Sequence, residues 1–264
     1  METQNTANDT SKFTFLALIT RTIAGLGGGI AGTIILLVIY MISSSVLQQA
    51  LTQAEEGTDV TPLFTIVIMA MVFVSLLASN IFAPLFISFT QGDRYKRITT
   101  ALFQIFIVNV VIFMILVPIY LFSTNIGLEF ISFAAGLQMA LAVLGSALIF
   151  EIISNYKYAL LGVYSTIFAV LVAVIFSAIL FQTTGSALIL LFLALPLLWG
   201  GVGFMFGLVG MIYSWVVSTW GVDYLATTQE YSKDYGKQEA DDEIEIKEPE
   251  PEDTEGVDFL RKGQ

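Results

Sequence analysis

Apolar and polar residues fall in long blocks along this chain rather than alternating position by position. Six apolar stretches, at about 22–46, 62–88, 98–122, 130–153, 158–181 and 187–210, are separated by short polar connectors. A helix needs about 20 residues to cross the hydrocarbon core of a bilayer, so each stretch is long enough for one crossing. Their apolar residues cover every helical face instead of one stripe, as expected for helices with lipid on one side and other helices on the other. The pattern predicts an all-α integral membrane protein. Its parts are a bundle of six transmembrane helices over 22–220, an N-terminal segment 1–21, and a tail 221–264.

Both ends of this domain raise a question about length. Between Lys12 and Arg21 the run "FTFLALIT" is suited to a short amphipathic entry helix lying in the membrane interface, with Ser11 as its cap. Arg21 would then extend its charge toward the headgroups. From Leu188 to Trp220 the last apolar stretch would measure roughly 50 Å as a helix, against a core of about 30 Å. It must tilt, break near Gly200 and Gly201, or run its final turns along the interface with Tyr213, Trp215 and Trp220 as anchors; the aromatic residues favour the last.

Charge adds orientation. All eleven Lys and Arg lie in the N-terminal segment (Lys12, Arg21), the second connector (Arg94, Lys96, Arg97), the fourth (Lys157) or the tail (Lys233, Lys237, Lys247, Arg261, Lys262). The connectors between them have none. Because basic loops stay on the cytoplasmic side, this predicts both termini inside, most simply in the cytoplasmic membrane. No cleavable signal precedes the first span, which is expected to serve as an uncleaved anchor. Of the 22 acidic residues 14 fall after Trp220, so the net charge of −11 belongs mainly to the tail. The run "DDEIEIKEPEPEDTEG" has almost nothing to bury and is expected to be disordered. The chain ends with Val257, Phe259 and Leu260 beside Arg261 and Lys262, a candidate docking motif for a cytosolic protein.

Composition narrows the chemistry. Apolar residues make up 56% and charged residues 12% of the 264 positions, and there is neither cysteine nor histidine. Thiolate nucleophiles, Cys or His metal sites and His-based catalysis are therefore excluded, and no cofactor is expected.

Small residues recur at helical spacing on three spans: Gly25, Gly29 and Gly32; Gly162, Ser165, Ala169, Ala173 and Ser177; Gly200, Gly203, Gly207 and Gly210. Lipid gives helices no hydrophobic reason to associate, so close backbone approach at small residues supplies the contacts. The first and sixth helices are expected to meet through these faces, or else to line a narrow path. Five polar residues lie within spans: Asn80, Gln104, Asn109, Gln138 and Glu151. Asn109 and Gln138 fall near mid-membrane, where amides bond across helices; Glu151 lies about a turn from the cytoplasmic surface. No ionisable residue is placed at mid-depth, where a proton-coupled carrier would be expected to keep one.

Three short matches carry nothing further. Gly27, Gly29 and Gly32 satisfy the spacing of a dinucleotide-binding loop, but the following "TIILLVIYMI" is apolar on every face. Asp93–Tyr95 spells the receptor signature of seven-helix G-protein-coupled receptors after the wrong span. Ser154–Gly162, "SNYKYALLG", resembles a segment of the quinone-site membrane subunit of respiratory NADH dehydrogenases over nine residues, without counterparts to that family's charged motifs.

Two functions fit these residues. The first is a non-enzymatic scaffold or subunit of a membrane complex, homo- or hetero-oligomeric, whose tail recruits a cytosolic partner. The second is a permease for a small neutral or weakly polar solute, with Asn109, Gln138 and the glycine faces around its path. Nothing points to nucleic acid.

Overall fold

The structure, a computed structural model, describes residues 14–55, 62–91, 95–123, 126–155, 158–184 and 187–220. These form six helices: α1 (Phe15–Glu55), α2 (Pro62–Thr90), α3 (Ile98–Ser123), α4 (Leu128–Ser154), α5 (Ala159–Thr184) and α6 (Ala187–Trp220). Each is long and apolar enough to cross a membrane. A helix answers its backbone N–H and C=O groups within itself, the condition that lipid imposes on any spanning segment. The tail 221–264, with Val257, Phe259, Leu260, Arg261 and Lys262, lies outside the described residues, as does Ser11.

One boundary differs from the sequence reading. There is no separate entry helix, because α1 runs without interruption from Phe15 through the span. Thr14 starts it: the Ala17 N–H donates to Thr14 Oγ1 at 3.3 Å and the Leu18 N–H to the Thr14 carbonyl at 3.1 Å. At 41 residues α1 measures about 60 Å, twice the thickness of a bilayer core. Of the three alternatives for the last stretch, a break is excluded, because α6 stays helical through Gly200 and Gly201. Those glycines are packed against neighbouring helices, where breaking the ladder would strand backbone groups without water.

The helices are arranged so that α1 packs on both α2 and α6, α3 pairs with α4, and α5 bridges α4 and α6. Helices α4 and α6 are the most enclosed, while α1 and α3 keep most of their apolar surface facing outward.

The α1–α6 seam is antiparallel and runs on backbone contact. A Cβ at Gly25 would strike the Trp199 carbonyl, one at Gly29 the Pro196 backbone, one at Gly203 the Arg21 carbonyl and one at Gly207 the Leu18 backbone. Gly200 receives the Leu26 side chain. Gly32 faces Leu195 and the Ser75 and Ser79 turns of α2, and Gly28, outside the small-residue stripes read from the sequence, faces Ala83. Gly210 is buried further along α6. On α5, Ala169 and Ala173 are buried, with Gly201 of α6 in van der Waals reach of Ala173.

Pro196 adds a specific tie to this seam. Proline has no N–H, so the carbonyl four residues earlier, at Phe192, loses its helical donor. The Thr33 hydroxyl of α1 supplies one, donating to the Phe192 carbonyl at 3.0 Å. A Thr33→Val chain is therefore expected to lose about 1 kcal/mol of stability in detergent unfolding. An unchanged midpoint would show that this carbonyl needs no partner.

Candidate functional site

Among the largest fully buried side chains are Trp199, Arg21 and Tyr120, each of which carries a polar group into the interior. Their partners define three polar layers at different depths.

The first layer closes the end of the bundle that carries the start of α1 and the α2–α3 and α4–α5 connectors. Arg21 was expected to reach the headgroups; instead it turns inward, and its side chain is 1% exposed. The reason is Glu151 of α4, equally buried, which forms a salt bridge with Arg21 Nη2. Arg21 Nη1 donates to the Tyr95 hydroxyl and, at 3.2 Å, to Gln91 Oε1. The guanidinium lies over the Phe206 ring of α6, its Cζ 3.5 Å from the centroid, a cation–π arrangement.

Glu151 is also answered from two sides. Tyr95 Oη lies 3.2 Å from Glu151 Oε1, and Asn155 Nδ2 donates to Oε2 at 2.7 Å. Asn155 works twice, since its Oδ1 accepts the Tyr158 N–H at 3.0 Å just before α5 begins. The connectors are joined directly by an antiparallel bridge between Tyr95 and Asn155 and by the Lys96 N–H, which donates to the Ser154 carbonyl at 2.9 Å. Stacking of Tyr95 on Phe150, with centroids 4.6 Å apart, fixes the phenol over α4. Gln91 Nε2 donates to the Ala17 carbonyl at 3.3 Å, so α2 is held to the first turn of α1.

Gly162 belongs to this layer. A Cβ there would collide with the Glu151 carboxylate, so the small residue at 162 is what lets α5 pass over it. In an open helix Gly→Ala gains roughly 1 kcal/mol. Here Gly162→Ala is expected to lower stability instead, and a gain on thermal unfolding would show that the carboxylate has room to move.

The second layer lies deeper. Asn80 Nδ2 donates to Asn109 Oδ1 at 2.7 Å; Asn109 Nδ2 donates to the Ile105 carbonyl and to Ser146 Oγ, both at 2.8 Å; Trp199 Nε1 donates to Asn80 Oδ1 at 2.9 Å. Four helices, α2, α3, α4 and α6, meet in this chain. A third contact, from the Tyr120 hydroxyl to Gln138 Oε1 at 2.7 Å, joins α3 and α4 farther along. Gln104 is half-buried on α3 and is not part of these layers.

Of the five in-span polar residues, the structure thus brings Asn80 and Asn109 together, gives Gln138 a separate partner and sets Glu151 against Arg21. The sequence reading missed Gln91, Tyr95, Asn155, Trp199 and Phe206 as partners. One signal for the ion pair was available: Arg21 precedes the first span and Glu151 ends the fourth, which puts opposite charges at the same end of the bundle.

Six apolar helices with their polar side chains turned toward one another define a polytopic α-helical membrane protein. No family model, curated protein or solved structure matches the chain.

Proposed function

We propose that this protein is a non-enzymatic scaffold or subunit of a membrane complex, seated in the cytoplasmic membrane with both termini inside, whose acidic tail recruits a cytosolic partner. The observation that supports this most is the closure of the bundle on itself. Helices α1, α2 and α6 touch at backbone level, and the charged and amide groups of the interior are spent on one another. Such a body suits holding a position in a membrane. The end of α6 leads into the tail 221–264, where the composition suits a tether that repels anionic headgroups.

Removing residues 238–264 is expected to leave the bundle folded and to eliminate at least one cytosolic protein from the set that co-purifies with the full chain. An identical set would remove the recruiting role. Orientation has its own test, made simple by the absence of cysteine. A single cysteine at exposed Gln49 should react with a membrane-impermeant thiol reagent in intact cells, and one at exposed Thr99 should not; the reverse pattern would invert the topology.

The second layer favours one other reading, a permease for a small neutral or weakly polar solute. Amides from different helices meet at mid-bundle, and irregular or polar groups at that depth are where carriers bind their solutes. Uptake into proteoliposomes that falls in an Asn109→Leu chain would support it; absence of flux for neutral solutes would count against it.

A further inference from the structure

The charged layer and the amide layer are stacked along the same helices. On α4, Ser146 lies five residues deeper than Glu151, and on α6, Trp199 lies seven deeper than Phe206, separations of about 7–11 Å at the helical rise. Between them the interior is filled by small or apolar side chains, among them Ala83, Ala147 and Val202. The charged layer gathers α1, α2, α4, α6 and both connectors of that end, so it is the only described polar assembly through which all of these are held together. It depends on one carboxylate. Without the charge of Glu151, Arg21 would be a buried cation left, among the described residues, with neutral partners, a state costly enough to drive it toward water.

We propose that the Arg21–Glu151 pair, with Tyr95, Gln91 and Asn155, is a gate that seals this end of the bundle over the amide layer. Neutralising Glu151 opens a water path down to Asn109 and Ser146. This deepens the permease reading and rests on it for its ligand. A solute admitted there must replace the Asn80–Asn109 and Asn109–Ser146 contacts, so it is small, uncharged and able both to donate and to accept hydrogen bonds, as a short amide or polyol is.

The test uses Ser146→Cys in the otherwise cysteine-free full chain, in detergent and in proteoliposomes, with a hydrophilic maleimide as the probe. In the native background the thiol should be protected. Adding Glu151→Gln, or separately Arg21→Gln, should raise its labelling rate by about tenfold or more, because labelling follows the population of the open state. Adding Glu151→Asp, which keeps the charge, should leave most of the protection. Each variant is first shown to be monodisperse and helical. Equal protection in native and neutralised backgrounds would overturn the gate, as would a neutralised chain that no longer folds, since the layer would then be a staple. Flux is read independently on the chain without the reporter, using glycerol and acetamide. Flux with unchanged thiol protection refutes the gate and leaves the permease; thiol opening without flux refutes the ligand assignment and leaves a latch at this end of the bundle.

Discussion

A Gly29→Leu chain is expected to enter the membrane and then fail to close α1 onto α6. A Cβ at this position would lie 2.6 Å from the Leu195 carbonyl oxygen and from the Pro196 nitrogen. Both atoms are backbone, and Pro196 is held in place by its ring and by the Thr33 bond to Phe192. No rotamer change relieves such a clash, so the helices must separate, and separation also strips Thr33, Gly25 and Gly32 of their contacts. The cost should be about 3 kcal/mol or more, at or beyond the upper end of ordinary overpacking. Gly136 provides the control, because it is exposed on α4 with open space where a Cβ would go. Gly136→Leu should be close to neutral. Unfolding in a denaturing detergent series, followed by circular dichroism, separates the two; equal midpoints would mean that the α1–α6 seam is not set by glycine.

Replacing either member of the buried ion pair alone is the second large effect. Arg21→Leu leaves a carboxylate enclosed with, among the described residues, Tyr95 and Asn155 to answer it, and Glu151→Leu leaves a guanidinium facing Phe206, Gln91 and Tyr95. Each single change should cost about 3–5 kcal/mol, most of it the penalty of a stranded charge rather than the worth of the pair. Arg21→Leu combined with Glu151→Leu removes both charges and should therefore be more stable than either single variant. If the singles unfold at the native midpoint, both charges must have reached water, and the inward placement of Arg21 is wrong.

The helices themselves were legible because membrane spans announce themselves by length and by block hydrophobicity, both local properties. The spans read from the sequence and the observed helices differ chiefly at the ends of α1 and α6, where the helix continues beyond what a bilayer requires and lipid no longer sets the limit. Arg21 illustrates what local pattern cannot supply. An arginine at the edge of a span usually extends to the interface, and only a carboxylate 130 positions away reverses that. Tyr95, Gln91 and Asn155 are harder still, since they sit in or beside short connectors with no periodicity to mark them. Thr33 gives the same lesson from another direction: Pro196 announces a freed carbonyl, but not which neighbouring helix will answer it. The amides Asn80 and Asn109 stood out as polar residues in apolar spans, whereas Ser146 and Trp199, which complete their network, are ordinary residues for a membrane helix.

Arg21 and Glu151 face each other inside the bundle, and a double-mutant cycle on purified protein measures that directly. Unfolding free energies of the native chain, Arg21→Leu, Glu151→Leu and the double variant give the coupling between the two positions. The inward-facing pair predicts a double variant that recovers more than about 3 kcal/mol relative to the sum of the singles, at or beyond the upper end for residues in contact. Additivity within about 0.5 kcal/mol, as for sites that do not touch, would contradict it.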